Sequence, residues 1–242
     1  MKDDPQASFK ALDKGWIYDE FGQIALDFAD PAEVEAYDRR QGDRNVDNAR
    51  LLEELGVKSG HVVVDLGTGT GSLAIAAAGL GAKVHAVDVS RPMLDRACMN
   101  ASAANVTGIE FHHAGFLTYR HPAGTADFAF SQFALHHLPD FWKQAALTRI
   151  ASMLRPGGVF YLRDVVFSFS PEDKARAIEG WLAAVSREDG SGWSRRDFEA
   201  HIRDEYSTYA WIIEGMLTRA GFRIEKIEHL LSAYASFLAV RP

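Results

Sequence analysis

Short apolar runs alternate with longer amphipathic stretches between about residues 61 and 164. Apolar runs bounded by glycine, proline or charged residues predict buried strands, and the amphipathic stretches between them predict helices. The predicted strands cover residues 62–66, 83–87, 109–113, 126–131 and 158–164, and the predicted helices cover residues 72–80, 91–104 and 140–153. Strongly apolar strands joined by helices are typical of a parallel sheet that is covered on both faces.

The pattern changes after the last of these strands. Residues 165–205 interrupt the alternation with two further predicted helices, one with an apolar face around Trp181 and one that starts at Ser194. Another helix follows, predicted to run from about residue 208, and the chain then ends in apolar runs at residues 222–229 and 233–240. These two runs are so close together that they predict an antiparallel hairpin.

Together these elements predict an α/β fold: a Rossmann-like, doubly wound sheet of seven mostly parallel strands with a C-terminal antiparallel β-hairpin. In this interpretation residues 1–45 form a separate N-terminal helical and aromatic segment. Residues 46–242 form the main domain, and residues 165–205 are a helical insertion within it.

Composition narrows the class of protein. The 242 residues are 47% hydrophobic and 24% charged, as in ordinary globular proteins. A net charge of −7 disfavours a nucleic-acid partner. The single cysteine, Cys98, excludes an intramolecular disulfide and fits a reducing compartment. The N-terminus lacks the apolar core of a signal peptide, and no apolar run approaches the ~20 residues of a membrane span, so we expect a cytoplasmic protein without a membrane partner.

Three alternating glycines follow the first predicted strand. Gly67, Gly69 and Gly71 let the backbone turn sharply and leave no side chain between it and a ligand. Asp88 ends the second strand, where a carboxylate is well placed to accept hydrogen bonds from ribose hydroxyls. The two segments therefore predict a nucleoside site at the carboxyl edge of the sheet. The dinucleotide fingerprint needs a glycine where this chain has Ser72, so an NAD(P)-dependent oxidoreductase is a less favoured alternative.

Four segments in this order resemble class I S-adenosylmethionine-dependent methyltransferases. Residues 65–71 resemble the first motif of that family, Asp88 its ribose-binding acid, residues 127–138 its fourth-strand motif and residues 154–158 the loop before its fifth strand. The resemblance extends from roughly residue 45 to residue 242. It implies S-adenosylmethionine as the cofactor and transfer of its methyl group, with S-adenosylhomocysteine as the product.

The resemblance also implies which residues contact the cofactor. They lie in the glycine loop and at the carboxyl ends of the second, third and fourth strands: Asp65, Gly67, Thr68, Gly69, Gly71, Asp88, Val89, Met93, Gly115, Phe116, Ser131 and Gln132. In the family the acid at the position of Asp65 fixes the glycine loop and reaches toward the amino-acid end of the cofactor. Many relatives carry Gly-Asp at the end of the third strand, where the acid accepts from the adenine amino group. This chain has Ala114-Gly115 there, which puts side-chain recognition of that amino group in doubt.

Two histidines after the fourth strand are candidates for a general base. His136 and His137 have the residue type that can take a proton from a nucleophile at neutral pH, although packing or capping is an alternative role. Asp164, at the end of the fifth strand, is a further candidate for the site. The remaining candidates are aromatic side chains expected to form a lid or to line the substrate site, with plain apolar packing as the alternative: Trp16, Tyr18, Tyr37 and Phe133.

The sequence favours a small-molecule acceptor. The chain is acidic and lacks the Asn-Pro-Pro-Tyr sequence of nucleic-acid amino methyltransferases. We expect no metal from His112 and His113, because adjacent strand residues point to opposite faces of a sheet. A non-catalytic protein that binds S-adenosylmethionine stays an alternative, and the sequence leaves the acceptor atom and the oligomeric state open.

Overall fold

The computed structural model describes residues 15–22, 30–41, 45–189 and 191–242. Most of the predicted N-terminal segment lies outside the described residues, and so does Phe28, an aromatic residue of that segment for which the sequence favours plain apolar packing. The helices are α1 (Pro31–Gln41), α2 (Asn45–Glu54), α3 (Ser72–Gly79), α4 (Arg91–Ala103), α5 (Asp140–Met153), α6 (Lys174–Val185), α7 (Arg195–Asp204) and α8 (Ala210–Arg219). The strands are β1 (Val62–Leu66), β2 (Lys83–Asp88), β3 (Ile109–His113), β4 (Ala126–Gln132), β5 (Leu154–Phe167), β6 (Thr208–Tyr209), β7 (Arg223–Leu230) and β8 (Tyr234–Val240).

Seven of these strands form one continuous sheet in the order β3-β2-β1-β4-β5-β8-β7. The pairs from β3 to β5 are parallel, and β8 runs antiparallel to both β5 and β7. The predicted fold class is therefore confirmed, including the antiparallel hairpin at the end of the chain. The two-residue strand β6 was not predicted. It pairs with the end of β5 and occupies residues 208–209, where the sequence predicts the start of a helix.

Strand β5 is much longer than the sequence predicts. It begins at Leu154 and continues to Phe167, whereas the apolar pattern predicts residues 158–164. Its carboxyl end is extended because Val165 pairs with Tyr234 of β8 and the next two residues pair with β6. The start of the predicted insertion is thus part of the central sheet.

Hydrophobic side chains bury both faces of the sheet. One face packs against α5 and α8 through residues such as Leu147 and Leu217, and the other packs against α2 and α3 through residues such as Leu52 and Ala77. A smaller cluster centred on the buried Trp181 packs the insertion against β5 and β8. Helices cover both faces, so the carboxyl edge of the parallel strands is the place left for a ligand. Within the described ranges we find no helix that combines the length and the apolar character of a membrane span.

Candidate active site

A cavity of about 750 Å³ opens at the carboxyl edge of the parallel strands. Ligand sites of small molecules usually have volumes of roughly 300–1,000 Å³. The lining includes these residues predicted from the sequence: Tyr37, Gly67, Gly69, Asp88, Val89, Met93, Gly115, Phe116, Gln132, Phe133, His136 and His137. Five more are buried behind the lining: Asp65, Thr68, Gly71, Ser131 and Asp164.

The glycine loop follows β1 and forms one wall of the cavity. Gly67 has a φ of +75°, a conformation that L side chains rarely adopt. A Cβ at this position would lie only 2.2 Å from the Cβ of Ala134, so the close packing of the loop on the segment after β4 also requires glycine. The backbone of Gly67 therefore faces the cavity without an intervening side chain.

Asp88 ties the glycine loop to the end of β2. One carboxylate oxygen accepts from the backbone N–H of Gly69 at 2.8 Å, and the other accepts from that of Ser90 at 2.8 Å. Burial raises the pKa of this carboxyl, although the backbone donors oppose that effect. Each carboxylate oxygen has further lone pairs, so the group can still accept from hydroxyls of a ligand in the cavity.

Asp65 supports the loop from behind. Its carboxylate accepts a hydrogen bond of 2.6 Å from the Thr68 hydroxyl, and its side chain is almost fully buried. Burial raises the pKa of Asp65 to about 7, with a smaller contribution from the nearby Asp88, while the Thr68 bond lowers it. This geometry matches the loop-fixing role that the resemblance implies. A direct contact with the cofactor stays a prediction.

A residue from the N-terminal segment, Glu20, binds the turn that follows β3. Glu20 is buried, and its carboxylate accepts from the backbone N–H groups of Leu117 and Thr118, each at 2.8 Å. A Cβ on Gly115 would lie 2.4 Å from the carboxyl carbon of Glu20. The carboxylate of Glu20 thus occupies the space that a side chain at position 115 would fill. Burial raises the pKa of Glu20, and the hydrogen bonds from residues 117 and 118 lower it.

The segment after β4 connects the glycine loop with the deeper part of the cavity. The Gln132 amide lies 3.4 Å from the Asn48 side chain, which in turn donates to Ser72 Oγ at 2.9 Å. Phe133 has a φ of +54°, an uncommon conformation for a bulky residue that is found preferentially at functional sites. Its ring lies under the Arg163 guanidinium at 5.4 Å.

His136 lies between two carboxylates at the bottom of the cavity. Its Nδ1 contacts Asp164, whose carboxylate also accepts from the backbone N–H groups of His136 and Val165. Its Nε2 lies 3.0 Å from Oε2 of Glu205, the residue that follows α7. Burial lowers the pKa of His136, but the two carboxylates outweigh burial and raise it to about 10. A second imidazole, that of His201, has its Nδ1 2.5 Å from the same Glu205 oxygen.

His137 is placed differently from its neighbour. Its ring packs 4.4 Å from that of His136, and its carbonyl accepts from the Tyr18 hydroxyl at 3.1 Å. Burial and the neighbouring His136 lower the pKa of His137 to about 4. Tyr18 and Trp16 pack on Trp142 of α5, with ring centroids 6.3 Å and 6.1 Å away, and are not part of the cavity lining.

Helices α1 and α7 both contribute residues to the lining of the cavity. Tyr37 of α1 contacts Trp193 edge to face at 5.9 Å, and the Arg40 guanidinium lies 4.9 Å above the same indole. Asp38, beside Tyr37, accepts from Arg96 of α4 at 2.8 Å and so fixes α1 to the body of the fold. Of the four aromatic residues predicted to form a lid or to line the substrate site, Tyr37 and Phe133 therefore face the cavity, while Trp16 and Tyr18 lie outside it.

Comparisons with known proteins identify this arrangement. A family model described as a methyltransferase domain matches residues 63–158. An uncharacterised methyltransferase from Geobacillus kaustophilus is 29% identical over 78% of this chain and 81% of its own length. The 27-O-demethylrifamycin SV methyltransferase of Amycolatopsis mediterranei is 28% identical over 64% of this chain and 57% of its own. The chain has a class I S-adenosylmethionine-dependent methyltransferase domain.

A solved structure agrees with this identification at the level of the fold. Phosphoethanolamine N-methyltransferase 2 of Haemonchus contortus, in complex with phosphomonomethylethanolamine and S-adenosylhomocysteine, superimposes on the methyltransferase with a TM-score of 0.67. The two are 20% identical, and the match covers 91% of this chain and 61% of that chain. The resemblance inferred from the sequence motifs is confirmed, and S-adenosylmethionine is the cofactor of this class of methyltransferase.

The residues of the methyltransferase fit that cofactor. The cavity wall at Gly67 is bare backbone, and Asp88 presents a carboxylate beside it. Val89, Met93 and Phe116 add apolar surface at the neighbouring strand ends, as an adenine ring requires. These residues would hold the adenosyl group, with Asp88 accepting from the ribose hydroxyls.

Several residues of the site were not predicted from the sequence. Among them, Glu20, Trp193, His201 and Glu205 line the cavity, yet none belongs to a motif of the parallel sheet. One signal was present for two of them: His201 and Glu205 are four residues apart, a spacing that places side chains on the same side of a helix. Glu20 had no comparable signal, because its partners at residues 115–118 are almost one hundred positions away.

Proposed function

We propose that the methyltransferase transfers a methyl group from S-adenosylmethionine to a small-molecule acceptor by in-line displacement. The observation that carries this proposal is that one cavity joins two sets of residues. We call the part lined by Gly67, Gly69, Asp88, Val89, Met93, Gly115 and Phe116 the cofactor half. We call the part lined by His136, His137, Phe133, His201 and Glu205 the acceptor half.

S-adenosylmethionine, when bound, supplies a methyl group that is already activated by the sulfonium. The protein then has to orient the reactants and exclude water, and orientation alone contributes roughly 7–11 kcal/mol in well-aligned cases. The backbone at Gly67 and the Asp88 carboxylate fix one reactant. Tyr37 and Trp193 line the cavity in contact with each other and limit the access of water.

We assign the recognition of the adenine amino group to Glu20. This residue occupies the space that a side chain at Gly115 would fill, and its carboxylate borders the cavity. Oε1 accepts from the N–H and the hydroxyl of Thr118, while Oε2 accepts, among the described residues, only from Leu117 and can accept one more hydrogen bond. The N-terminal segment around residues 15–22 then contributes to the cofactor half. The insertion, through α7 and Trp193, contributes to the acceptor half.

For proton removal from the acceptor we propose His137. Both ring nitrogens of His136 lie against carboxylates, those of Asp164 and Glu205, so neither is directed at a substrate proton. His137 lines the same cavity without a carboxylate on each side. A His137→Gln variant is expected to lower kcat with little change in cofactor affinity.

A small-molecule acceptor is supported by the size of the cavity, since its volume of about 750 Å³ is typical of small-molecule sites. Residues of α7 together with Leu230 and Tyr234 also line it. The net charge of −7 also disfavours a polyanionic acceptor. The acceptor of the Amycolatopsis relative, as its name states, is a rifamycin derivative, which is itself a small molecule.

The proposal is tested by incubation of the purified protein with S-adenosylmethionine labelled on the methyl group and with fractionated small metabolites. We expect labelled product together with one equivalent of S-adenosylhomocysteine, and neither should form with an Asp88→Ala variant. Tight cofactor binding without transfer to any fraction would instead favour a non-catalytic binding protein. In calorimetry, binding of NADH in place of S-adenosylhomocysteine would favour the oxidoreductase alternative.

A further inference from the structure

Three ligating side chains meet at the bottom of the acceptor half. We call His136, His201 and Glu205 the inner triad. Their nitrogen and oxygen donor atoms all lie within 4.8 Å of one another, and all three residues line the cavity. Two histidines and one carboxylate form a donor set that Zn²⁺ and other divalent transition metals bind well.

The donor atoms of the inner triad converge on one carboxylate oxygen. Glu205 Oε2 lies 3.0 Å from His136 Nε2 and 2.5 Å from His201 Nδ1, so both imidazoles direct a ring nitrogen at the same oxygen. A cation bound between the three donors would replace these two contacts with metal–ligand bonds of about 2.0–2.2 Å.

Each imidazole of the inner triad is held from its other nitrogen. Asp164 contacts His136 Nδ1 and is itself oriented by two backbone donors, so His136 Nε2 faces Glu205. His201 Nε2 lies 2.8 Å from Ser207 Oγ, which leaves Nδ1 toward Glu205. Metal-bound histidines almost always carry such a partner on the second ring nitrogen.

The backbone also fixes the inner triad. The N–H of Tyr206, directly after Glu205, donates to the carbonyl of His136 at 2.9 Å. The buried Lys143 ammonium donates to the Tyr206 carbonyl and to Asp140, which anchors the end of α7 on α5. The triad is therefore assembled on supported elements rather than on surface side chains.

We propose that the inner triad binds one divalent transition-metal ion, which holds an oxygen donor of the acceptor in the cavity. Three protein ligands leave coordination positions open for such a donor. This proposal rests on the proposed function, because that function supplies the methyl acceptor whose oxygen would bind the metal. It implies that the acceptor carries a hydroxyl or carboxylate group. It concerns binding and orientation, and the transferred methyl group follows the same in-line path.

A second group of potential ligands must be removed before the test. His85, Glu110 and His112 lie on the outer part of β2 and β3, with His85 Nδ1 3.1 Å from His112 Nε2. Glu110 is 71% exposed, so this outer group is a weaker candidate that nevertheless can contribute to metal counts. The experiment therefore uses a His112→Ala background.

The test is a titration of the EDTA-treated, full-length His112→Ala protein with Co²⁺, followed by visible absorption. We expect one Co²⁺ per chain with the ligand-field bands of a nitrogen- and oxygen-ligated site. Ser207→Ala should weaken Co²⁺ binding by about 10–100-fold, the usual effect of removing a residue that orients a ligand. His201→Ala and Glu205→Gln should weaken it further. The matched control is His229→Ala, an exposed histidine of β7, which should leave binding unchanged.

The outcomes separate this proposal from the proposed function. S-adenosylhomocysteine binding and the thermal unfolding midpoint are measured on the same samples, so that loss of folding is not mistaken for loss of a ligand. Absence of Co²⁺ binding by the His112→Ala protein overturns the metal site even when S-adenosylhomocysteine binds normally. The same conclusion follows if Glu205→Gln and Ser207→Ala leave the Co²⁺ affinity of that protein unchanged. Co²⁺ binding without S-adenosylhomocysteine binding contradicts the proposed function and leaves the metal site in place.

Discussion

The two halves of the cavity are assembled in different ways. The cofactor half consists largely of the turns that follow β1, β2 and β3, so most of its contacts come from backbone and from residues close to a strand end. The acceptor half is made of side chains that come from distant segments. Glu205 contacts His136 from a position 69 residues later in the chain, at the end of the insertion.

This difference separates what the fold provides from what this particular chain adds. The geometry at the carboxyl edge of a parallel sheet is common to many proteins and places a nucleoside in a predictable position. The chemistry of the acceptor half depends on which side chains the insertion happens to present. Substitutions in the cofactor half should therefore affect donor binding alone, and substitutions in the acceptor half should leave donor binding intact.

Among substitutions in the two halves, we expect Asp88→Ala to have the largest effect on the affinity for S-adenosylhomocysteine. The change removes the carboxylate that accepts from Gly69 and Ser90 and that faces the ribose position. Hydrogen bonds to a charged group contribute about 1.5–3 kcal/mol each, so S-adenosylhomocysteine affinity should fall at least about 100-fold. Calorimetry measures this directly. Asp95→Ala, an exposed position on α4, is the matched control, and equal affinities for the two variants would contradict the assignment of Asp88.

A second prediction concerns the carboxyl that supports the glycine loop. Burial raises the pKa of Asp65 to about 7 from an ordinary value of 3.8. Between these values the native protein keeps a proton that the unfolded chain has released. The free energy of unfolding contributed by Asp65 is therefore fully present below about pH 4 and is lost as the pH rises to about 7. The slope is up to about 1.4 kcal/mol per pH unit.

Asp65→Asn tests this sign. The amide oxygen of asparagine can still accept from Thr68, but it carries no titrating proton. Urea denaturation at pH 5 and pH 7 should show that the wild-type protein loses more stability between the two pH values than the variant does. Equal losses would mean that Asp65 is ionised throughout this range in the folded protein.

A smaller effect on affinity is expected for Glu20→Gln. The substitution keeps the size of the side chain that fills the space next to Gly115, but it removes the charge that attracts an amino group. Loss of one charge-assisted hydrogen bond should weaken S-adenosylhomocysteine binding about tenfold. Binding of S-inosylhomocysteine, which has an oxygen in place of the adenine amino group, should not weaken. The assignment of Glu20 fails if both ligands lose affinity by the same factor.

The cofactor half was largely predictable from the sequence because its signals are local. Gly67, Asp88 and their strands lie within one β-α-β unit, where apolar pattern and glycine spacing are read over some thirty residues. Strand β5 shows the limit of this approach, since its extension to Phe167 is caused by pairing with β6 and β8 rather than by its own pattern.

The acceptor half was only partly predictable, for a related reason. His136 could be singled out because it lies within the fourth-strand motif, but its partners could not. His201 belongs to α7 and Glu205 directly follows it, and the position of this helix depends on how the insertion packs around Trp181. Glu20 likewise depends on the path of the N-terminal segment. Long-range contacts of this kind leave no periodic signal in the chain.

The smallest effect is expected for Trp16→Ala, a substitution that tests where the cavity ends. Trp16 was predicted to cover the site, but its ring stacks on Trp142 at 6.1 Å, with an angle of 13° between the rings, and remains 66% exposed. An aromatic pair of this kind contributes about 0.5–1.5 kcal/mol beyond the area that it buries, and exposure places Trp16→Ala at the lower end. We expect a small decrease in urea stability and unchanged affinity for S-adenosylhomocysteine. Tyr37→Ala is the matched comparison, since Tyr37 does line the cavity and its removal should weaken ligand binding. A Trp16→Ala variant with weakened cofactor binding would show that the lid extends beyond α1 and α7 to the N-terminal segment.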